Sequence, residues 1–533
     1  MILKIFFYII LMTELILNKS QQESIKKLDN FIANVFDKFF ILKGSAGTGK
    51  TTVITHFLNN PKFGDYKIAF SATTNKAVSV LKQISPFTNE KKYSYLTIHK
   101  LLNIKRKINK DGKEEFNMVR DNNKLIKSLS IYDYDIIIID ECSMLSNEII
   151  ESLYKLKNFK GKIIFIGDPA QLPPVNEESQ IFSTKGIPTY ELTEIMRYKG
   201  KIVELANKVR DLVFDNTTKI KFKDYKTDSI TISKKYDKWF ANYFENLKDK
   251  LLTQGNLEDL PICLTYTNRR TENINLGVRT ELFGSNSERF MEEEIIIFNN
   301  YYFLEKNEIS YYTSQKSKVK KVVVGFIKPK YLGLCDSCNN NLEKVRLLCG
   351  HIYCNTCKEK EGCKLCLKKE TTMDDYLIGL EKSKSYSIIT KFNSIFDCLK
   401  ETNIKIWELT LHNGDTINII HEDSIQSYTQ LIEILSKKIK NFRIFLKKTY
   451  GRSKSYEKLM DNIWSYLYEN LIDIFADISY GYCITTHKSQ GSTFNNIYVD
   501  MNNIILKNTN KEESYRCLYT AITRTSGKLN ILL

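Results

Sequence analysis

No stretch of this chain is apolar for long enough to cross a bilayer. The nearest candidate, Ile5 to Met12 behind a lone Lys4, falls short of the ~20 residues that a spanning helix needs. No small-x-small cleavage site follows it, so a membrane or secretory role is not expected. The run reads as a first helix packed on the core or as an imprecise start. Acidic charge is also in deficit. Asp and Glu number 62 against 79 Lys and Arg, a net charge of +17. That surplus fits a polyanionic partner and argues against a freely soluble metabolic enzyme, although a lysine-rich bias of composition would produce the same count.

A disulfide framework is missing too. Of 12 cysteines, Cys142, Cys263, Cys398, Cys483 and Cys517 are scattered and the rest crowd between Cys335 and Cys366. This distribution suits metal binding in a reducing, intracellular compartment rather than oxidative cross-linking. No segment repeats at a solenoid period. At 533 residues the chain has room for roughly three or four domains.

What is present is organised around Gly44-Ser45-Ala46-Gly47-Thr48-Gly49-Lys50-Thr51-Thr52, which joins an apolar strand end to a helical pattern. G-x-x-x-x-G-K-T is the phosphate-cradling loop of P-loop proteins. Its glycines let successive N–H groups face phosphate oxygens, Lys50 brings a cation to the β/γ-phosphates, and Thr51 offers a hydroxyl to Mg²⁺. Upstream, Gln21 opens an amphipathic helix pattern; its amide suits either adenine recognition or a solvated helix start. Downstream, Tyr134 to Glu141 is a run of isoleucines ending in Asp140-Glu141. A continuous β-branched run is a buried parallel strand, and its C-terminal edge is where open α/β sheets place their sites. Asp140 would then serve the Mg²⁺ shell and Glu141 the attacking water.

Further strands deliver polar edges. One ends in Ser71-Ala72-Thr73-Thr74-Asn75, and a second cluster holds Thr97 and His99; such groups suit a phosphodiester backbone. Lys162 to Ile166 leads into Gly167-Asp168-Pro169-Ala170-Gln171-Leu172-Pro173, where Gln171 could touch a γ-phosphate. Asp111-Gly112, between Lys- and Arg-rich flanks, predicts a β-hairpin or a solvated loop. From about 290 to 478 the pattern becomes β-rich and irregular, with an Asn413-Gly414 hairpin turn between Ile404 and Ile420. Parallel-sheet patterning then resumes through Thr486-His487-Lys488-Ser489-Gln490-Gly491-Ser492 and Tyr519-Thr520-Ala521-Ile522-Thr523-Arg524.

In this order the motifs resemble those of the superfamily 1B helicases typified by RecD, Dda and the Pif-type enzymes, over residues 17 to 290 and 480 to 533. The resemblance implies an α/β fold with two RecA-like domains and ATP between them. The first domain would span 17–200, with an inserted hairpin at 103–130 acting as a strand-separating pin. The second would comprise 201–290 and 479–533, interrupted by an insertion at 291–478 that is in part SH3-like. By the same resemblance Gln21, Lys50, Thr51, Asp140, Glu141 and Gln171 serve ATP and Mg²⁺, with Gln490 and Gly491 completing the site. Arg197 and Arg524 would be arginine fingers. Thr74, Asn75, Thr97, His99 and His487 would contact single-stranded DNA ahead of a duplex junction, with 5′ to 3′ movement. RNA is the alternative polymer.

The cysteine-rich segment reads Cys335-x2-Cys338-x10-Cys349-x-His351-x2-Cys354-x2-Cys357-x5-Cys363-x2-Cys366. Eight thiol and imidazole groups in close pairs suit two tetrahedral Zn²⁺ ions. The segment, 334–367, resembles a RING finger. That resemblance implies a cross-braced pairing, with Cys335, Cys338, Cys354 and Cys357 on one ion and Cys349, His351, Cys363 and Cys366 on the other. It also implies a protein partner and an alternative reading as a ubiquitin ligase. Asp336, Ser337 and Lys364 depart from the usual ligase pattern at the positions flanking the ligands, so a zinc fold is expected more than ligase chemistry.

Overall fold

The computed structural model describes residues 17–108, 111–118, 131–174, 177–194, 200–215, 220–253, 257–304, 310–329, 344–346, 352–354, 391, 394–399, 402–451 and 454–533. The first described element is helix α1 (Lys19–Ala33), whose first turn is closed by a reciprocal capping box between Asn18 and Gln21. Strand β1 (Phe39–Gly44), helix α2 (Lys50–Leu58), β2 (Ile68–Ala72), α3 (Asn75–Ile84), β3 (Tyr93–Thr97) and the short α4 (Ile98–Leu101) follow. The hairpin of β4 (Ile104–Ile108) and β5 (Glu114–Met118) stands apart from the main sheet. Then come β6 (Ile136–Asp140), α5 (Asn147–Tyr154), β7 (Lys162–Gly167) and β8 (Thr189–Leu192).

These strands form one parallel sheet in the order β3-β2-β6-β7-β1-β8. Side chains alternate across it. Ile41, Ile137, Ile139, Ile163 and Phe165 fill the core on one face, while Leu42, Ile136, Ile138, Ile164 and Ile166 fill that on the other. With both faces covered, the strands read as unbroken apolar runs.

The second sheet begins with α6 (Lys201–Phe214), β9 (Ile230–Ser233), α7 (Tyr236–Leu252), β10 (Ile262–Thr265) and α8 (Asn268–Phe283). The chain then leaves it for β11 (Ile295–Phe298), β12 (Lys316–Ile327), β13 (Lys344–Arg346), β14 (Ile352–Cys354), β15 (Ile404–Leu411), β16 (Thr416–Ile420), α9 (Glu422–Tyr450), α10 (Lys454–Leu467) and β17 (Ile478–Tyr480). It returns with β18 (Cys483–Thr485), β19 (Phe494–Asp500), α11 (Met501–Lys507), α12 (Lys511–Thr523) and β20 (Thr525–Leu532). The second sheet is parallel, β18-β10-β19-β20-β9, and the intervening segment builds an antiparallel one, β16-β15-β12-β11-β17.

Strand β11 joins the two units. Its side chains alternate, Ile295 and Ile297 entering the cores of the second α/β domain while Ile296 and Phe298 enter that of the antiparallel sheet. Beside it the buried Arg279 of α8 pairs with Glu294 and donates to the Glu288 carbonyl at 2.6 Å. Burial pushes the Glu294 carboxyl up against the pull of that guanidinium.

The expectation of a β-rich, irregular insertion needs correction. Residues 422–450 and 454–467 are helices, and Leu431, Leu435, Ile439, Phe442 and Leu446 of α9 pack with Ile463 and Trp464 of α10 in a core of their own. The hairpin at Asn413-Gly414 does form, with Gly414 at φ +93°. Of the eight zinc-ligand candidates, Cys335, Cys338, Cys349, His351, Cys357, Cys363 and Cys366 lie outside the described residues, and Cys354 is described only as backbone in β14. Among the described residues no group of three or more His, Cys, Asp and Glu could hold a metal, and no helix is long and apolar enough to cross a membrane.

Candidate nucleotide site and interdomain cleft

Every strand of the first sheet except β8 delivers a candidate site residue at its C-terminal edge. From β1 the chain turns through Gly44 to Gly49 into α2. A Cβ on Gly44 would stand 2.8 Å from Thr48 Oγ1 and 2.9 Å from the Leu192 carbonyl oxygen, so the tight turn requires glycine there. Gly49 lies at φ +80° with Gln21 Nε2 where its Cβ would be. Ser45 accepts from the Thr48 hydroxyl at 2.9 Å, and Lys50 Nζ donates to the Gly44 and Ser45 carbonyls at 2.8 and 3.0 Å. The ammonium thus rests on the loop's own carbonyls, over the cradle that a phosphate would fill. Ala46 and Gly47 complete the turn, and Thr51 and Thr52 begin α2.

Gln21 is held locally. Its oxygen accepts from Asn18 N at 3.1 Å and its nitrogen donates to the Thr48 carbonyl at 3.2 Å, tying α1 to the loop.

From β6, Asp140 faces Thr51 with 3.4 Å between carboxylate and hydroxyl oxygens. Burial, then the neighbouring Glu141 charge, push the Asp140 carboxyl up to about 6. Glu141 adopts the left-handed region at φ +50°, uncommon for a residue with a side chain and of the kind that clusters at functional sites. That turn swings its carboxylate toward Arg524, 3.7 Å away at the end of α12. Between them, with its amide oriented to satisfy both neighbours, Gln171 donates to Glu141 Oε2 at 3.0 Å and accepts from Arg524 Nη2 at 3.1 Å. Arg524 is buried and donates weakly to the Ser492 carbonyl at 3.4 Å, yet its Nε has no partner. An orphaned guanidinium donor beside a carboxylate and a P-loop fits an anionic phosphoryl group. The donor set therefore matches Mg²⁺ and ATP, with Thr51 and Asp140 as the oxygen ligands that a hard cation prefers.

The loop after β7 belongs to both domains. Ala170 and Leu172 are sunk in the core of the second domain. Around them Arg516 donates to the Pro169 and Gln171 carbonyls, Thr520 accepts from Leu172 N at 3.3 Å, and Gln490 donates to the Leu172 carbonyl at 3.2 Å. Tyr519 donates to Asp168 at 2.6 Å and accepts from Ala46 N at 3.1 Å, bridging the two domains at the phosphate loop. Burial and the Asp168 charge push its phenol well up, so it remains a donor. Arg210 of α6 adds contacts to Glu191 at 3.1 Å and Asp168 at 3.8 Å. Tyr519, Arg516 and Arg210 had no assigned role from sequence because their roles exist only across the cleft; no local pattern marks them.

Thr74 caps α3 by accepting from Ala77 N at 3.2 Å, and Asn75 starts that helix. A Cβ on Gly491, at φ +72°, would lie 3.5 Å from the Thr74 hydroxyl, so these two segments meet across the domains. Thr97 caps α4 and is buried, and burial lowers the pKa of His99. His487 sits beside Tyr266 on the second domain, its pKa lowered by burial despite Glu513 at 3.9 Å. The structure therefore groups Lys50, Thr51, Asp140, Glu141, Gln171 and Arg524 in one site, and places Gln490 on the loop beside it. Arg197 lies outside the described residues.

Two family models match this chain: an AAA domain over residues 16–227 and a UvrD-like helicase C-terminal domain over residues 480–532. An uncharacterized protein of Acanthamoeba polyphaga mimivirus is 29% identical over 97% of this chain and 99% of its own length. The RecBCD enzyme subunit RecD of Buchnera aphidicola subsp. Schizaphis graminum is 26% identical over 94% of this chain and 71% of that protein. A solved Pif1 helicase from Bacteroides, in complex with ADP-AlF3 and ssDNA, is 14% identical over 97% of this chain and 92% of that one, with a TM-score of 0.44, a likeness too distant to carry further weight. The two matched segments are the ones between which the site is assembled, and over most of its length the chain is similar to the RecBCD enzyme subunit RecD.

Proposed function

We propose that the chain hydrolyses ATP in the cleft between its parallel-sheet domains to move 5′ to 3′ along single-stranded DNA and to part the duplex at the β4–β5 hairpin. The observation that carries this reading is the Glu141–Gln171–Arg524 cluster, in which a buried guanidinium of one domain reaches the carboxylate of the other with a donor to spare. Glu141 would orient and deprotonate the attacking water, Gln171 would hold that carboxylate in place, and Arg524 would compensate charge that develops on the transferring phosphoryl. Lys50 would exchange its loop carbonyls for phosphate oxygens. Mg²⁺, when bound by Thr51 and Asp140, supplies charge neutralisation on the phosphates. Arg197 would act as a second finger, Gln490 and Gly491 would line the closed cleft, and Gln21 would meet adenine by giving up its local bonds.

Thr74, Asn75, Thr97, His99 and His487 would line the path of the strand. The cysteine-rich segment would bind two Zn²⁺ ions as a substrate- or partner-engaging module within a partly SH3-like insertion. The name of one partial relative, the ATP-dependent DNA helicase Pif1 of Campylobacter jejuni, 30% identical over 26% of this chain, supports DNA over RNA as the polymer. The decisive experiment is ATP hydrolysis with and without single-stranded DNA, with single-stranded RNA as a parallel arm. Strong stimulation by DNA, abolished in Lys50→Ala and Glu141→Gln, is expected. Equal rates with and without either polymer would end the translocase reading.

A further inference from the structure

The second half of α9 carries Lys437, Lys438, Lys440, Arg443, Lys447 and Lys448 and, from 434 to 450, no acid. Leu431, Leu435, Ile439, Phe442 and Leu446 turn inward, so the opposite side, with Lys437, Lys440, Ile444, Lys447 and Lys448, faces solvent. Lys438 is turned away and donates to the Ser394 carbonyl at 2.9 Å. None of Lys437, Lys440, Lys447 and Lys448 makes an ion pair with an acid among the described residues.

The tip of the β4–β5 hairpin is seated beside this stripe. Asp111 pairs with Arg443, Tyr468 donates to the Gly112 carbonyl at 3.2 Å, and the Trp464 ring lies where a Gly112 Cβ would be. Lys440 and Lys447 stand three before and four after Arg443, the spacing that shares a helix face. The cations therefore flank the seat of the hairpin tip on both sides. From Lys437 to Lys448 the helix rises about 16 Å, the length of roughly five base pairs at 3.4 Å each.

We propose that this exposed side of α9 is a phosphate track for duplex DNA arriving at the hairpin, held by Lys437, Lys440, Lys447 and Lys448. The inference rests on the reading of the hairpin as the point of strand separation. Clustered unpaired cations complement a phosphodiester backbone, and counterion release makes their contribution readable by salt. It also explains why an insertion helix, rather than either motor domain, holds the hairpin tip: the element that grips the duplex sets its approach to the wedge.

The test replaces the four lysines with glutamine, which keeps helix propensity, and measures binding of a 5′-tailed DNA fork and of the tail alone across salt concentrations. Loss of four phosphate contacts should make the fork's log–log salt slope shallower by about 3 to 4, leaving binding of the tail and DNA-stimulated ATPase as in the unmodified protein. An unchanged fork slope would overturn the proposal, the more so if the variant's melting temperature fell, since another protein surface would then cover these lysines. An equal change on the tail alone would overturn the duplex assignment. Failure of the underlying motor reading is distinguishable, because it would appear in the unmodified protein as ATPase indifferent to DNA.

Discussion

Arg524 connects the two halves of the nucleotide site through a single side chain. Because Gln171 accepts from one arm of its guanidinium while Glu141 lies against another, the residue needs a planar fork rather than a point charge. Arg524→Ala should lower kcat about 10³-fold or more, as expected of charge compensation at a phosphoryl transition state, with KM for ATP little changed. Arg524→Lys should restore little of it. Steady-state kinetics decide this: a rise in KM at unchanged kcat would reduce Arg524 to a binding residue. At this scale much was legible in advance. The placing of Lys50, Thr51, Asp140 and Glu141 near one another follows from short-range spacing, since a loop, a helix start and a strand end fix their positions within a few residues. Tyr519 was not, because its hydroxyl matters only where α12 meets Asp168 and Ala46 across the cleft.

Two connecting elements carry strain or loyalty that their sequence position hides. The loop after β7 is chained to the first sheet but buries Ala170 and Leu172 in the second domain's core, so Gln171 rides with the second domain while Glu141 stays with the first. Any rotation of one domain against the other must therefore stretch or close the Gln171–Glu141 bond. The β4–β5 tip is similarly committed. Gly112 lies at φ +75°, and a Cβ there would come within 2.5 Å of Trp464. Gly112→Ala carries about 1–2 kcal/mol for the left-handed conformation and must in addition push the tip off its seat. Fork unwinding should fall severalfold or more in this variant while DNA-stimulated ATPase persists; both activities dropping together would make the hairpin a structural support for the site instead. The hairpin was readable from Asp111-Gly112, a turn dictated by two residues. Helix α9 was overlooked although Leu431, Leu435, Ile439, Phe442 and Leu446 recur at helical spacing, because flanking strand patterns dominated the segment.

At the scale of the whole molecule, the motor and its insertion make separable claims. The cysteine-rich segment lies between β12 and β15, away along the chain from every proposed nucleotide residue, so the proposed metal can be tested without disturbing the cleft. Protein purified anaerobically should carry about two zinc ions, the number that eight ligands satisfy at four each, and Cys349→Ser with His351→Ala should remove about one while DNA-stimulated ATPase survives. Zinc content near zero would remove the metal reading and leave the helicase assignment standing.

The order of strands in the second sheet also governs how the molecule is made. Strand β10 lies between β18 and β19, both of which come after the insertion, so it has no neighbour to pair with until the last part of the chain has been synthesised. Its buried face and ladder groups must wait exposed, or sheltered by chaperones, while the intervening sheet and helices fold first. Pairings this distant in sequence are slow to close and prone to wrong partners. The insertion thus dictates the tempo at which the nucleotide cleft is completed, and a ribosome stalled short of β18 would leave a folded insertion attached to half a motor.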